Sequence, residues 1–256
     1  MLCLSIGNLM KQLFRANAIV LHEILNGKPG EFEDIELVKF ETILNHGLPC
    51  LSAPMSFESR KPSLLITFDD GHKSDVEIVL PLLLEHNATA SFFIVPDFIG
   101  EEGFLSWQDV KELSKAGMDI GSHSLSHTNF RTIDNNQILS DLVESKRILE
   151  DKIGKPVVSF SFPYGFVPRR GLHLASASGY SHVFGSKHGI ITSRKNLKEI
   201  LPRNSINTLM SSKKITKILE ASVSIRCWWV LEDNVKQFLK FILPQKVYFR
   251  LRSLIR

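Results

Sequence analysis

Cysteine is scarce in this chain, and no long apolar run is present. The three cysteines, Cys3, Cys50 and Cys227, are odd in number and lack the spacing of a metal-binding motif. This pattern argues against a disulfide framework and favours reduced thiols inside the cell. The apolar run at residues 1–6 has no basic residue ahead of it and is far shorter than the about 20 apolar residues of a membrane span. We therefore expect a cytoplasmic protein.

Repeats, low-complexity segments and a large charge imbalance are also missing. Hydrophobic residues make up 43% of the 256 positions and charged residues 23%, and the formal net charge is +4. Such values are ordinary for globular proteins and exclude disordered and collagen-like chains. The length suits one barrel-type domain or two small domains.

The stretch from Leu64 to Gly71 organises the rest of the interpretation. Apolar and β-branched residues lead directly into Asp69, Asp70 and Gly71, which is typical of a buried strand that ends in a loop. Because side chains alternate along a strand, the two carboxylates should face different surroundings, one binding a metal and the other moving a proton. The alternative is a simple turn or helix cap.

Strands and helices are predicted to alternate along the chain. The predicted strands are 18–21, 64–68, 88–95, 118–122 and 157–162. The predicted helices are 35–44, 76 to about 86, 107–116 and 134–153. Residues 24–34 are predicted to form a loop. Crossovers of about 20 residues or more imply parallel strands with helices outside. We predict an α/β fold, either a (β/α) barrel or an open parallel sheet, with its site at the carboxyl ends of the strands.

Two histidines join the aspartates at these strand ends. Asp70 follows one predicted strand, and His123 and His127 follow another. Two imidazoles and one carboxylate leave coordination positions open, as in a catalytic rather than a structural metal site. The four-residue spacing would let both rings face one point if their loop made a single helical turn. A lone loop histidine is usually solvated or hydrogen-bonded, so the combination indicates the site.

Three motifs of the chain stand in the order and spacing of a known family. They lie at residues 67–71, 121–127 and 162–165. They resemble the first three motifs of the polysaccharide deacetylase family, also called the NodB-homology domain or carbohydrate esterase family 4. The likeness extends from about residue 19 to about residue 206, because the Leu-Pro-Arg segment at 201–203 resembles a late part of one branch. The resemblance implies a distorted, incomplete (β/α) barrel that removes N-acetyl or O-acetyl groups from sugars with a divalent metal, usually zinc.

The resemblance also implies a role for each matching residue. Asp69 would be the general base, and the metal ligands would be Asp70, His123 and His127. The backbone N–H of Tyr164 would help bind the oxyanion. We take Pro163, Tyr164 and His72 as the substrate contacts.

The sequence departs from the family pattern at three places. The third motif often has an arginine two residues before Pro163, where it orients the base, but Ser161 stands there. We hypothesise that Arg203 supplies this charge. The late motif with a catalytic histidine is not recognisable, so we take His22 as the first choice for the acid and His72 as the second. The remaining candidates are His173, His182 and His188. The aspartate and tryptophan of the fourth motif have no counterpart.

The C-terminal end is the basic part of the chain. Apolar residues recur there at helical spacing, namely Val247, Tyr248, Leu251, Leu254 and Ile255, and the flanking basic residues are Lys246, Arg250, Arg252 and Arg256. We expect a main domain over residues 1–225 and a C-terminal amphipathic basic helix within an extension over 226–256. This helix would either cover the barrel or lie on an anionic membrane surface, at the inner face of the membrane. Nucleic-acid binding is not expected, because no aromatic stacking platform accompanies the charges.

The leading functional hypothesis is a metal-dependent hydrolase that removes acetyl groups from N-acetylated amino sugars. Its substrate would be a polysaccharide, an oligosaccharide or a lipid-linked glycan. An alternative is a carbohydrate-binding relative without turnover, but such a protein needs no base such as Asp69 beside its metal. A third is a phosphatase that uses a strand-end aspartate as nucleophile, which gives no reason for His123 and His127.

Overall fold

A parallel β-sheet forms the centre of the molecule. The computed structural model describes residues 16–27, 34–53, 62–191 and 199–242. Its strands are β1 (Ala16–Leu21), β2 (Ile24–Leu25), β3 (Ile35–Glu36), β4 (Cys50–Leu51), β5 (Ser63–Asp70), β6 (Ser91–Ile94), β7 (Asp119–Ser122), β8 (Ser159–Ser161), β9 (His182–Phe184) and β10 (Asn204–Ser205). Among these residues, eight strands form the main sheet in the order β10-β1-β5-β6-β7-β8-β9, with β4 beside the start of β5. Its ladders are parallel.

Helices follow most of these strands. They are α1 (Leu37–Leu44), α2 (Leu80–Glu85, preceded by a π-helical segment Asp75–Val79), α3 (Trp107–Lys115), α4 (Asn135–Ile153), α5 (Gly171–Ala177), α6 (Ser212–Leu219) and α7 (Val223–Ile242). Helices that connect parallel strands in this way pack on the sheet.

The two faces of β5 carry different cores. Leu64, Ile66 and Phe68 belong to the large core between the sheet and the helices. Leu65 belongs to a smaller core on the inner face of the curled sheet, with Phe93 of β6. Because side chains alternate along a strand, Asp69 lies on this inner face, opposite Phe93 in the ladder.

Short bridges bring the two sides of the curled sheet together. Ala16 forms an antiparallel bridge with Ile191, and Phe184 a parallel bridge with Leu201. The sheet is therefore a half-barrel rather than an open plane. The predicted α/β fold, a distorted, incomplete barrel of parallel strands, is confirmed.

Signals close in the sequence set the ends of the helices α3 and α4. A capping box of Ser106 and Asp109 begins α3 at Trp107, where the sequence predicted the helix to begin. Asp134 accepts hydrogen bonds from the first turn of α4, and Gly154 ends that helix in the left-handed conformation.

Three predictions between β1 and β5 need correction. Residues 24–34 are not wholly a loop, because β2 pairs with β3. The helix predicted from residue 35 begins at Leu37, since residues 35 and 36 belong to β3. The strand β4 had no predicted counterpart. These strands have two residues each, which is too short for a recognisable sequence pattern. Their extended conformation depends on pairing with a neighbouring strand.

The helix α7 crosses the predicted boundary between residues 225 and 226. Ile225 and Trp229 on α7 are buried in the large core. Asp233 accepts hydrogen bonds from the backbone N–H and the ring of His188, at 3.2 and 2.8 Å. The predicted basic helix over 247–256 lies outside the described residues. In the part of the chain that is described, no helix is long and apolar enough to span a membrane.

Candidate active site

Three side chains converge at the carboxyl ends of β5 and β7. Oδ1 of Asp70 lies 3.5 Å from Nε2 of His123 and 3.4 Å from Nε2 of His127. All three ligand atoms lie within 4.8 Å of one another. The structure thus brings together the three residues that the sequence suggested as metal ligands. We call Asp70, His123 and His127 the triad.

The backbone achieves this convergence in a way that the sequence did not predict. The histidines do not lie on a helical turn. Instead, Ser124 and His127 adopt left-handed φ angles of 69° and 55°. Asp70 is also left-handed, with φ of 76°, so the alternation of β5 ends there. As a result Asp69 and Asp70 both approach His123, although the rest of their surroundings differ.

The donor atoms fit a divalent cation. Nδ1 of His123 donates a hydrogen bond to the carbonyl of Ser161 at 2.9 Å, so a neutral ring presents a lone pair at Nε2. This lone pair faces Oδ1 of Asp70, a buried atom without a hydrogen-bond donor among the described residues. A cation between these two atoms would satisfy both of them. Ligand atoms about 2.0–2.1 Å from a tetrahedral ion stand about 3.4 Å apart. The two separations from Oδ1 of Asp70 to the histidine nitrogens match this value.

His127 is held in the neutral form that binds metals. Burial, together with His123, lowers the pKa of His127 to about 4, and Asp70 only partly opposes this. The His127 ring packs against Tyr164, with the ring centroids 4.4 Å apart. A neutral imidazole needs no deprotonation before it coordinates a cation.

The guanidinium of Arg203 donates hydrogen bonds to both carboxylate oxygens of Asp69. The Nη1 and Nη2 atoms of Arg203 donate to Oδ1 and Oδ2 of Asp69 at 2.7 and 2.8 Å, and Nη2 also donates to Oγ of Ser161 at 2.6 Å. Burial by itself would raise the pKa of Asp69, but Arg203 and then His123 outweigh it and hold this pKa well below its ordinary value. Asp69 is therefore a charged carboxylate, and its Oδ2 lies 3.7 Å from Nε2 of His123.

Ser161 contacts both Arg203 and His123. It stands where the third motif often has an arginine, and Arg203 enters from the start of β10 to fill the space. The hydroxyl of Ser161 accepts from the guanidinium, and its carbonyl orients His123. Arg203 thus lies where our hypothesis required it.

The two candidate acids lie at the rim of the site. His22 follows β1, at the carboxyl end of that strand, and it interacts electrostatically with Asp69 and His127. Nε2 of His72 lies 3.9 Å from Oδ2 of Asp70, and its ring stacks on Phe104 at 5.0 Å.

The other three histidines are placed elsewhere. His182 is at the amino end of β9, opposite to the site, and His173 lies on α5. His188 bonds Asp233 of α7. These positions leave His22 and His72 as the candidates beside the carboxylates.

The third motif forms a single 3-10 turn, Pro163–Gly165. Pro163 is buried at its start, whereas Tyr164 has φ of 57° and is 38% exposed. The Tyr164 ring covers one side of His127, so this turn borders the triad. The predicted substrate contacts Pro163, Tyr164 and His72 therefore flank the triad.

Sequence reasoning missed a third carboxyl group near the site. Asp75 is fully buried at the start of the π-helical segment. Burial, Asp70 and Glu23 raise the pKa of Asp75 well above its ordinary value. Its spacing of five residues from Asp70 could have suggested it, but nothing local indicates that it is buried.

Comparison with known proteins agrees with this geometry. The family model described as polysaccharide deacetylase matches residues 57–183, about half of the chain. The sequence is 29% identical over 126 residues to a peptidoglycan-N-acetylglucosamine deacetylase of Bacillus cereus, covering 49% of this chain and 57% of that protein. It is 26% identical over 150 residues to a poly-beta-1,6-N-acetyl-D-glucosamine N-deacetylase of Staphylococcus aureus, covering 53% and 52%. The chain thus spans about half the length of these curated relatives.

A solved structure shows the same fold. The deacetylase PplD of Streptococcus pyogenes, in complex with acetate, superposes with a TM-score of 0.72 at 18% identity and covers 81% of this chain and 99% of that one. The superposition includes much more of the chain than the sequence match. The matching family model shows that this chain belongs to the polysaccharide deacetylase family.

Proposed function

We propose that this protein is a metal-dependent hydrolase that removes acetyl groups from N-acetylated amino sugars of a glycan. The observation that carries the proposal is the pairing of a three-ligand site with a separate carboxylate. Asp69 is charged and fixed by Arg203, and it lies next to His123 without belonging to the triad. A site that only bound sugars would have no need of such a base. The names of the two relatives describe N-deacetylases of glucosamine-containing polymers, which favours an amino-sugar substrate.

Each residue near the triad has a task in this reaction. A divalent metal held by Asp70, His123 and His127 would polarise the acetyl carbonyl and acidify a water molecule. Asp69 accepts the proton of the attacking water, a contribution of about 10²–10⁴ in rate. The backbone N–H of Tyr164 donates to the oxyanion, and one such donor contributes about 3–4 kcal/mol.

We assign the protonation of the leaving amine to His22. It follows β1 at the carboxyl ends of the strands and interacts electrostatically with Asp69 and His127. His72 is the second choice, because its ring is already engaged by Phe104 and Asp70. Loss of activity in His72→Ala but not in His22→Ala would reverse this assignment.

Zinc is the metal we propose. Two imidazole nitrogens and one carboxylate oxygen with open positions are a common catalytic zinc set. Other divalent metals also accept nitrogen and oxygen ligands, so the identity needs a direct comparison of zinc, cobalt, nickel and manganese.

The test is acetate release from a panel of acetylated oligosaccharides. The panel contains N-acetylglucosamine oligomers of several lengths and O-acetylated sugars as the matched comparison. We expect acetate from the N-acetylated oligomers, loss of release with a chelator and recovery on addition of zinc. Binding of the oligomers without any acetate release under these conditions would contradict the proposal and favour a binding protein.

A further inference from the structure

The loop that carries both histidines of the triad has an unfavourable backbone conformation at two residues. It runs from residue 123 to residue 127, directly after β7. Its residues Ser124 and His127 have left-handed φ angles, and this conformation costs an ordinary L-residue about 1–2 kcal/mol. Such strain persists only where surrounding groups fix the backbone. The histidine loop therefore needs support from outside.

Two hydrogen bonds fix the loop at its midpoint. The backbone N–H of Leu125 donates to Oδ1 of Asp141 on α4 at 3.0 Å. The carbonyl of Leu125 accepts from the backbone N–H of Asp97, just after β6, at 3.1 Å. Leu125 stands two residues from each histidine, so both rings depend on where this peptide lies.

Helix α4 is a firm support for such a contact. It is capped at both ends, and Leu142 and Leu149 anchor it in the large core. The hydroxyl of Ser122, the last residue of β7, donates to that of Ser145 on the same helix at 2.9 Å. The helix thus holds both the end of the strand and the middle of the histidine loop.

Burial of the Asp141 carboxylate is unfavourable by itself. Burial raises the pKa of Asp141 to about 6, and the nearby Asp97 adds to this, while the hydrogen bond from Leu125 opposes it. No ion pair to Asp141 is found within the described ranges. The contact with the loop is the favourable interaction that this side chain makes.

We propose that Asp141 is a positioning residue for metal binding, which acts by holding the peptide of Leu125 so that His123 and His127 face Asp70. The inference rests on the metal site of the proposed function and adds a residue outside the ligand set. Groups that orient ligands through hydrogen bonds typically change metal affinity by 10–100-fold when removed.

The experiment compares zinc affinity among variants of the full chain. Metal-free proteins compete with a chromophoric chelator for zinc, and their thermal midpoints are measured without metal. Asp141→Ala should bind zinc about 10–100-fold more weakly than the wild type. Asp141→Asn should stay within about threefold, because its amide oxygen accepts the same hydrogen bond. Asp141→Ser, whose hydroxyl is too short to reach the loop, should behave like Asp141→Ala.

The matched control is Asp151→Ala, which removes an exposed carboxylate from the same helix. It should bind zinc like the wild type. Unchanged affinity in Asp141→Ala and Asp141→Ser would overturn the role of Asp141, as would a loss in Asp141→Asn as large as in Asp141→Ala. Failure of the wild type to bind zinc, cobalt, nickel or manganese would instead overturn the metal site of the proposed function, and this role with it.

Discussion

Arg203 and Asp69 form a buried ion pair joined by two hydrogen bonds. The carboxylate is almost completely buried, and two parallel N–H···O bonds satisfy both of its oxygens. A buried charge without such a partner is very unfavourable. The guanidinium therefore fixes the direction of the base and also makes it possible for the base to be charged.

Replacement of Arg203 by methionine should damage both stability and turnover. We expect Arg203→Met to lower the free energy of unfolding by about 3–5 kcal/mol, because Asp69 would remain buried without its partner. Burial would then be the main influence on the pKa of Asp69, so the acidic limb of the pH–activity profile should move to higher pH. Urea unfolding and a pH profile of acetate release measure the two effects.

Arg169→Met serves as the control, since Arg169 is exposed. Arg203→Lys keeps the charge but loses the two-pronged geometry, so it should lie between the wild type and Arg203→Met. An unchanged pH profile in Arg203→Met would show that Arg203 does not set the charge of the base.

Asp75 offers a test of electrostatics that does not depend on turnover. Its pKa is raised in the folded state, so folding disfavours its ionisation. The contribution of Asp75 to stability should therefore become unfavourable as pH rises above the pKa of the unfolded side chain, about 3.9. In chelator-treated protein, Asp75→Asn should therefore be more stable than the wild type at pH 7, with the difference vanishing below about pH 4. Urea unfolding at several pH values gives this curve, and a difference independent of pH would rule out the buried charge as its cause.

At the scale of elements, the inner face of the half-barrel is crowded where β6, β7 and β8 meet. A Cβ on Gly121 would lie 2.5 Å from Cδ1 of Phe93 and 3.0 Å from the carbonyl oxygen of Ser159. Both distances are below ordinary contact, and Gly121 stands two residues before His123. The site thus depends on a glycine in β7 for its spacing.

Substitution at this glycine should destabilise the protein. Gly121→Ala should cost about 1–3 kcal/mol, the usual range for overpacking a core. Gly154→Ala is the comparison, because there a Cβ meets no atom within 4 Å and only the left-handed φ opposes it. Thermal unfolding of both variants measures the effects, and a smaller loss in Gly121→Ala than in Gly154→Ala would contradict the crowding.

Elements with local signals could be predicted, and those decided by distant partners could not. The apolar run of β5 and the caps of α3 and α4 lie within a few residues of the elements they define. The strand β10 pairs with β1 almost two hundred residues away, so no local pattern indicates it.

In the site too, some features could be predicted from nearby residues and others could not. The residue types at 69, 70, 123 and 127 suggested a metal and a base from spacing and strand context. The left-handed backbone of Ser124 and His127 has no signature in the sequence, so the spacing alone suggested a helical turn that the loop does not form. Arg203 could be suggested only through the family likeness, because its contact with Asp69 spans 134 positions.

At the scale of the whole molecule, a bound cation would tie together two strands of the half-barrel. Asp70 belongs to β5, and the histidines follow β7. A ligand that binds only the folded state stabilises it by about 2.7 kcal/mol at one hundred times its dissociation constant. For a protein of this size, such a gain corresponds to a rise of about 5–10 °C in the thermal midpoint.

We therefore expect the thermal midpoint to rise by that amount when zinc is added to metal-free protein. His127→Ala should show a much smaller rise, because a ligand is missing. A wild type whose midpoint does not respond to zinc, cobalt, nickel or manganese would argue against a cation that links β5 and β7.

The division of labour between a metal triad and a separate base is the central claim. It is tested most directly by measuring metal content and acetate release together for the wild type, Asp69→Asn and His123→Ala. We predict that Asp69→Asn keeps its metal and loses turnover, whereas His123→Ala loses both. Equal loss of metal in the two variants, or turnover by Asp69→Asn at the rate of the wild type, would contradict the account.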